Sequence, residues 1–471
     1  MTILLPTGEL AYNTVLEAAK GFDVNIVVFG KIAAFLTPNN LEKILLENKN
    51  CEMVLVSGMC TADFSNLEDK MHIPIYRGPR HAADLGLVLR SLDEIKLSRH
   101  VPADEMLAKK REEEAVFKVL ENEKNSSCDF EIKGLKIGGN SRIKVLAEIM
   151  DAHKNVDTAF VAARYFESGA DIVDLGFGFD ATPDDVKRTF ESLKEVKGLL
   201  AADTQDPELI KAAIPYTDII LSLHDENMGS VAEDIAKHDV AAVIVPHEKT
   251  LEENIAMAKE AGIKKIIADP LLQPVGSGLV KSLSDFKNTG CPLFFGAGNV
   301  AELIDADSVG INALLAGMAK ETGASVIFTS EHSDKTKGSI KEMKTAVCMM
   351  ALTDDRPYPK DLGIDLFVIK EKRKRREPPL KYETITDAEE MPEDMTYDPL
   401  GNLRIGIEDG FIVAIHNGSA VRGKKWEDVF HTILKQNRVS LMDHAAYLGK
   451  ELYKAELALK FDRSFDQDGD F

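Results

Sequence analysis

Short apolar runs separated by stretches of helical period dominate the middle of the chain. Between Glu131 and Phe328, eight runs rich in β-branched residues and leucine are each followed by an amphipathic pattern. Strands buried on both faces give continuous apolar runs, and a parallel neighbour needs a crossover helix. The eight runs are Ile132–Ile137, Ile172–Leu175, Leu199–Ala202, Asp218–Leu221, Ala241–Val245, Lys265–Ala268, Pro292–Phe295 and Ser325–Phe328. Eight such units predict a central (β/α)8 TIM barrel over residues 130–355 of an α/β protein.

The same alternation on a smaller scale predicts a separate N-terminal domain. Its apolar runs are Ile3–Leu5, Val24–Phe29, Met53–Ser57 and Ile73–Tyr76. They indicate a small α/β domain with parallel strands. A charged stretch that ends near Lys124 is typical of a solvated helix. We therefore assign residues 1–125 to this domain and its helical linker.

The pattern changes again after the barrel. Residues 356–395 carry the basic run Lys370–Arg376 and then an acidic stretch, and we interpret them as a charged linker. Residues 396–471 are predicted to begin with a hairpin of Leu403–Ile407 and Phe411–Ile415, with its turn at Glu408-Asp409-Gly410. Two helical patterns follow, Trp426–Lys435 and Leu441–Leu459. This region is predicted to be a small C-terminal α+β domain.

Composition and charge exclude several classes of protein. The formal net charge of −21 opposes binding to nucleic acid phosphates. The five cysteines form no CxxC pair or Cys/His cluster, which argues against a structural zinc site or a disulfide framework. No apolar stretch has the length of a membrane helix, and no basic leader precedes Ile3. We therefore expect a cytoplasmic protein with no nucleic acid or membrane partner.

Polar side chains at the carboxyl ends of the predicted strands are the first candidates for chemistry. In this fold such residues project into the site, because the barrel interior is filled by apolar side chains. Asp174, Asp203 and Asp269 end the second, third and sixth predicted strands, and Asn299 follows the seventh. Asp269 lies between apolar segments and needs a partner to offset its desolvation. A ligand with adjacent N–H donors fits that need.

These segments resemble a known family. Ala170–Gly176, Ala201–Thr204 with Asp206-Pro207-Glu208, and Ile266–Pro270 resemble, in order and spacing, the pterin-binding domain of dihydropteroate synthases. The resemblance implies that Asp174, Asp203 and Asp269 bind the pterin. We add Asn299 as a fourth pterin-binding candidate, and we take Asp203 and Asn299 as the catalytic candidates. A carboxylate suits an aminopyrimidinone edge because it accepts two adjacent N–H bonds.

The family's groups for diphosphate have no direct counterpart here. Its lysine after the seventh strand is replaced by Gly298-Asn299-Val300, and its Arg-Val-His after the eighth strand has no match in Phe328–His332. Five residues are candidate substitutes for diphosphate binding, and for each the alternative is an ordinary polar side chain on the surface. They are Asn140, Arg142, His332, Lys335 and Lys337. Asn140 is also the candidate ligand for Mg2+, which we expect on the leaving diphosphate because concentrated negative charge needs neutralising.

Two features resemble a second branch of pterin-binding barrels. Asp269–Pro274 and Gly296–Val300 look like the pterin-dependent methyltransferases, in which an asparagine at the position of Asn299 bonds the reacting pterin nitrogen. The whole arrangement, including the tail His444–Glu456, is similar to the archaeal dihydropteroate synthase-related proteins of methanopterin-using organisms.

The leading hypothesis is therefore a dihydropteroate synthase-like transferase. It condenses 6-hydroxymethyl-7,8-dihydropterin diphosphate with an arylamine of the ribofuranosylaminobenzene phosphate type, in tetrahydromethanopterin biosynthesis. The alternatives are a pterin-dependent methyltransferase and a non-catalytic pterin-binding protein. The expected partners are the small-molecule pterin and arylamine, and the expected assembly is a homodimer.

Overall fold

The structure is a computed structural model that describes residues 2–353, 359–360, 362–369, 382–389 and 397–469. It forms two compact units, residues 1–376 and 377–471. The basic run Lys370–Arg376 and much of the predicted charged linker, residues 356–395, lie outside the described residues. The predicted domain limits inside the first unit remain a prediction. No helix in the described part of the chain combines the length and apolarity needed to cross a bilayer.

The first unit begins with a four-stranded parallel sheet of order β2-β1-β3-β4. Its strands are β1 (Ile3–Thr7), β2 (Val24–Val28), β3 (Met53–Val56) and β4 (Ile75–Arg77). The helices are α1 (Tyr12–Ala18), α2 (Pro38–Glu47), α3 (Ser65–Met71), α4 (Leu85–Arg90) and α5 (Ala103–Asn125). The predicted parallel α/β arrangement at the N-terminus is confirmed, and α5 is the expected charged helix.

A closed barrel of eight parallel strands follows, as the sequence predicts. Its strands are β7 (Lys144–Ile149), β8 (Ile172–Gly176), β9 (Leu199–Asp203), β10 (Ile219–Leu223), β11 (Ala241–Ile244), β12 (Ile266–Ala268), β13 (Leu293–Phe295) and β14 (Ala324–Ser330). The helices on the barrel are α6 (Thr158–Glu167), α7 (Pro183–Ser192), α8 (Pro207–Ala213), α9 (Asp225–Met228), α10 (Ala232–Lys237), α11 (Leu251–Glu260), α12 (Leu279–Ser282), α13 (Ala297–Glu302), α14 (Ser308–Glu321) and α15 (Ser339–Ala351). Strand β14 pairs with β7 and closes the ring.

The prediction for the first barrel strand is wrong. Residues 132–137 form a hairpin of β5 (Phe130–Ile132) and β6 (Leu135–Ile137) outside the ring, and β7 is the first barrel strand. Lys133 and Gly134 have φ values of 46° and 87°, so the backbone reverses where a continuous strand was expected. Ile132 and Ile137 join the apolar cluster that fills the barrel, so the hairpin closes its N-terminal end.

The second unit is a three-stranded antiparallel sheet with two helices. The elements are β15 (Arg404–Glu408), β16 (Phe411–His416), β17 (Ser419–Gly423), α16 (Trp426–Lys435) and α17 (Met442–Lys460). The predicted hairpin is confirmed, with positive φ at both Asp409 and Gly410 as its tight turn requires. The third strand, β17, was not predicted. This α+β fold has its own apolar core.

Candidate functional site

Side-chain alternation brings four acidic residues to one end of the barrel interior. Leu146, Ile172, Ala201 and Ile267 belong to the apolar cluster inside the barrel. Residues two positions further along a strand face the same way. The residues at those positions are Glu148, Asp174, Asp203 and Asp269, at or just after the carboxyl ends of their strands. The carboxyl groups therefore form the polar top layer of an otherwise apolar interior.

Glu148, Asp174 and Asp203 form a tight group. One carboxylate oxygen from each lies within 4.8 Å of the others. Glu148 is paired in register with Asp174, and Asp203 with Gly176. Asp174 is completely buried, and neither carboxyl oxygen has a hydrogen-bond partner among the described residues. An unpartnered buried acid of this kind is costly, so the site is prepared for donors that a ligand brings.

Burial and mutual repulsion favour the protonated acids. Burial, with Asp203, Glu302 and Asp151 nearby, raises the pKa of Glu148 to about 7. Burial and then Asp203 and Glu148 raise the pKa of Asp174 well above its ordinary value. Burial also raises the pKa of Asp203, against the opposing hydrogen bond that Ser222 donates to Asp203 Oδ1 at 2.7 Å. The group therefore holds protons near neutral pH.

Asp269 lies just after β12, on the other side of the mouth. It is 8% exposed, and its Oδ1 accepts a hydrogen bond of 2.8 Å from the backbone N–H of Leu271. Leu271 adopts φ of 65°, an uncommon backbone conformation for a leucine. Burial raises the pKa of Asp269 to about 7, with the Leu271 hydrogen bond opposing and Asp203 adding to the shift. Oδ2 of the carboxyl group is left for another partner.

A cavity of about 550 Å³ opens above the acidic layer. Glu148, Asp203 and Ser222 line it, with Phe177 and Phe179 from the loop after β8. Asp174 lies beneath, fully buried. This volume is in the range of small-molecule sites, and the mix of aromatic walls and a few polar groups is typical of them.

Asn299 lies at the same end of the barrel. It is exposed in the short helix α13 that follows β13, and a methyl group at Gly296 would come within 3.4 Å of its Nδ2. Glu302 of the same helix accepts hydrogen bonds from Ser330 and from the backbone N–H of His332. The structure thus brings the three predicted aspartates and Asn299 to one end of the barrel.

Two of the three cationic candidates after β14, Lys335 and Lys337, are occupied by other contacts. Lys335 Nζ bonds the Ile304 carbonyl at 2.8 Å and Asp305 at 3.0 Å, and Lys337 pairs with Asp334 at 3.0 Å. His332 is exposed. All three lie in the loop at the carboxyl end of β14, where a diphosphate would have to compete with these acidic partners.

Asn140 and Arg142 do not join this group. Both precede β7, so they lie at the N-terminal end of the barrel and not after its first strand. Asn140 Oδ1 accepts from the Ser127 N–H at 2.6 Å, and Arg142 forms a bidentate pair with Asp171, which precedes β8. Their assignment to the mouth depended on the misplaced first strand. A Mg2+ ion at the mouth does not fit Asn140 as its ligand.

Sequence reasoning missed Glu148 for the same reason. The run Val145-Leu146-Ala147-Glu148-Ile149 carries a usable signal, because an acidic residue interrupts a run that is otherwise apolar.

The polar tail residues of the second unit bond to neighbours within that unit. His444 Nδ1 lies 3.0 Å from Asp398 Oδ2, and the Tyr447 hydroxyl donates to Asp468 at 2.7 Å.

Two family models match parts of the chain. "Family of unknown function (DUF6513)" matches residues 2–80, and "PterinBD-DUF4346" matches residues 397–468. The second match covers the C-terminal unit and not the barrel.

A curated relative covers the whole chain. "Uncharacterized protein MJ0107" of Methanocaldococcus jannaschii is 35% identical over 522 aligned positions, which span 100% of this chain and 99% of the relative. This archaeal match and the pterin term in the C-terminal model's name confirm the resemblance named from the sequence.

Solved dihydropteroate synthases are similar to part of the chain at low identity. The Thermus thermophilus synthase in complex with 6HMPPP is 19% identical, covers 44% of this chain and 93% of its own, and has a TM-score of 0.36. The Yersinia pestis synthase with a pterine-sulfa conjugate is 20% identical, covers 48% and 99%, and has a TM-score of 0.39. At these scores we assign the barrel from the strand order of this chain itself.

Proposed function

This chain belongs to the family of the Methanocaldococcus jannaschii protein MJ0107, and we propose that it binds a pterin at the carboxyl ends of its barrel strands. The finer proposal is a dihydropteroate synthase-like transferase. It joins 6-hydroxymethyl-7,8-dihydropterin diphosphate to an arylamine of the ribofuranosylaminobenzene phosphate type. The name of the family model that matches residues 397–468 points to the same ligand class.

The observation that supports this most is the state of Asp174. It is fully buried below an open cavity, and both its carboxyl oxygens lack hydrogen-bond donors among the described residues. The aminopyrimidinone edge of a pterin offers an exocyclic amine and a ring N–H side by side, which match one carboxylate. Asp203 lines the cavity, and Asp269 follows β12 at the same end of the barrel, so both can offer further acceptors.

The proposed reaction requires charge stabilisation more than acid–base chemistry. The C–O bond to diphosphate breaks, a C–N bond to the arylamine forms, and the amine nitrogen loses a proton. The acidic side chains of the cavity, in their ionised form, stabilise the positive charge that develops on the pterin methylene carbon. Because Asn140 lies at the other end of the barrel, no step of this proposal runs through a metal ion.

The binding half of the proposal is tested with Asp174→Asn. We expect 6-hydroxymethyl-7,8-dihydropterin to bind the unaltered chain and to bind the variant at least about tenfold more weakly, because the amide offers only one of the two acceptor oxygens that a carboxylate offers. Calorimetric titration measures both. Asp184→Asn is the matched control, since it removes the same charge from a side chain that is 92% exposed. Equal affinity in all three proteins contradicts the proposed role of Asp174.

The reaction is tested separately by mass spectrometry. The full chain is incubated with the dihydropterin diphosphate, Mg2+ and each candidate arylamine, and the coupled product and released diphosphate are measured. If the chain binds the pterin but forms no coupled product with any arylamine, the synthase proposal is contradicted. The proposal of a pterin-binding protein then stands alone.

One-carbon transfer is the second candidate, and the exposure of Asn299 at the mouth favours it. An exposed amide there can bond a pterin nitrogen as methyl transfer requires. This proposal predicts methyl exchange between a methylated pterin and a corrinoid or thiol acceptor. An Asn299→Ala protein should keep pterin affinity and lose exchange, whereas coupling to an arylamine in that variant at the normal rate favours the synthase.

A further inference from the structure

We propose that Asp151, His153 and Asp180 form a binding site for a first-row transition-metal dication, of the zinc type, at the rim of the barrel mouth. The three residues lie in the loops that follow β7 and β8, and one possible ligand atom from each lies within 4.8 Å of the others. The ligand set of this site shares no residue with the acidic layer of Glu148, Asp174 and Asp203, although Asp151 lines the same cavity. It stands or falls without the pterin proposal.

His153 carries the main observation. Its side chain is only 7% exposed, yet neither ring nitrogen has a hydrogen-bond partner among the described residues. A buried imidazole with two unsatisfied nitrogens is costly and unusual. Its Nε2 faces Asp180 Oδ1 at 3.5 Å, and its ring stacks on Phe177 with centroids 6.3 Å apart. Phe177 therefore packs against the ring, and Nε2 lies near the Asp180 carboxylate without a hydrogen bond to it.

The two carboxylates each keep one oxygen for this site. Lys154 Nζ lies 3.4 Å from Asp151 Oδ2 and 3.0 Å from Asp180 Oδ2. The Oδ1 atoms converge on Gly178, where an added Cβ would lie 2.7 Å from Asp151 Oδ1 and 3.1 Å from Asp180 Oδ1. Only a glycine at position 178 leaves room for both. Lys154 can thus orient the carboxylates while Oδ1 of each remains available.

The backbone at Asp151 is consistent with a constrained loop. Asp151 adopts φ of 47° and ψ of 47°, a left-handed conformation that costs a non-glycine residue free energy. This conformation turns the chain directly after β7 and places Asp151 beside His153, within the turn Ala152–Lys154. The geometry is set by the backbone before any ion binds.

The ligand types select the class of metal. An imidazole nitrogen and carboxylate oxygens are among the ligands that zinc accepts, and three protein ligands leave a fourth position for water. Mg2+ and Ca2+ prefer six or more oxygen ligands, so an imidazole disfavours them. Ligand atoms about 2.1 Å from a tetrahedral ion lie about 3.4 Å apart. The distance from His153 Nε2 to Asp180 Oδ1, 3.5 Å, already meets that spacing.

The test is a calorimetric titration of the metal-stripped full chain with Zn2+. We expect a site that Asp180→Asn weakens at least about tenfold, as loss of a direct ligand should. Asp180 is 63% exposed, so the variant should fold normally. Asp184→Asn, which removes the same charge nearby from a 92% exposed side chain, should leave the affinity unchanged. His153→Gln should lose the site as well, and circular dichroism checks its fold.

A second cluster of possible metal ligands provides a control that shows which of the two clusters binds Zn2+. His224, Glu226 and His247 also place ligand atoms within 4.8 Å of one another, at the ends of β10 and β11. Under our proposal His247→Ala leaves the measured site unchanged. The proposal is overturned if His247→Ala removes the strong site, if Asp180→Asn and Asp184→Asn behave alike, or if Zn2+ binds no tighter than about 1 mM, roughly 4 kcal/mol of binding free energy.

Discussion

Single residues at the barrel mouth are arranged for ligand binding at the expense of stability. Glu148, Asp174, Asp203 and Asp269 all have raised pKa values, chiefly because burial disfavours the charged form. Titratable groups with strongly shifted pKa values in a cleft are a recurrent mark of functional sites. The sequence indicates three of these four residues through their positions at strand ends, but no pattern along the chain reports how close they lie.

Glu148 gives a prediction about pH. Its pKa rises from 4.5 to about 7 on folding. Between these values the folded protein binds more protons than the unfolded chain, so stability falls as pH rises and levels off above pH 7. Glu148→Gln should be more stable than the unaltered chain at pH 8, by up to about 3 kcal/mol, and nearly equal to it at pH 4.

Urea unfolding at a series of pH values measures this effect. The matched control is Glu113→Gln, a side chain in α5 that is 66% exposed and pairs with Lys109. Its pH profile should follow that of the unaltered chain. Parallel profiles for all three proteins would show that burial does not raise the pKa of Glu148.

At the scale of elements, the hairpin β5–β6 decides where the barrel begins. The apolar run from Ile132 to Ile137 has the composition of a barrel strand, and its residues do pack into the barrel interior. A turn at Lys133-Gly134 makes it a plug at the N-terminal end and not a member of the ring. Residues whose positions were predicted relative to the first strand therefore lie elsewhere in the barrel, and Asn140 and Arg142 are among them.

Gly134 provides a test of this turn. Its φ is 87°, and an added Cβ would meet no atom within 4 Å, so Gly134→Ala costs only backbone strain. We expect a loss of about 1–2 kcal/mol in the free energy of unfolding. Gly310→Ala in α14 also meets no atom within 4 Å but has no positive φ, and should stabilise by up to about 1 kcal/mol. Urea unfolding of both variants gives the comparison, and equal effects would rule out strain at the turn.

At the scale of the whole molecule, the chain divides into units with separate cores. Leu403, Ile412, Leu448 and Leu452 belong to an apolar cluster formed within the C-terminal unit. A sheet covered by two amphipathic helices buries enough apolar surface to fold alone at this size. The match of a separate family model to residues 397–468 coincides with this unit.

We therefore expect residues 397–471 to fold without the rest of the chain. Cooperative thermal unfolding followed by circular dichroism is the measurement. Leu448 is fully buried, so Leu448→Ala should destabilise this fragment by about 2–5 kcal/mol. Leu434→Ala, at a position 41% exposed, should have a much smaller effect. A fragment without a cooperative transition would show that its core needs the first unit.

The sequence by itself determined the class of fold and the ends of most barrel strands. Continuous apolar runs and crossover helices are local patterns, so seven of the eight predicted runs coincide with barrel strands. Asp174, Asp203 and Asp269 follow from their positions at or just after the ends of those runs. Only the tertiary structure decided which segment opens the ring, because β7 is recognised by closure against β14, far along the chain. Closure also placed Glu148 beside Asp174 and put Asn140 and Arg142 at the opposite end. Distances between residues on different strands depend on how the ring closes, and no local pattern records them.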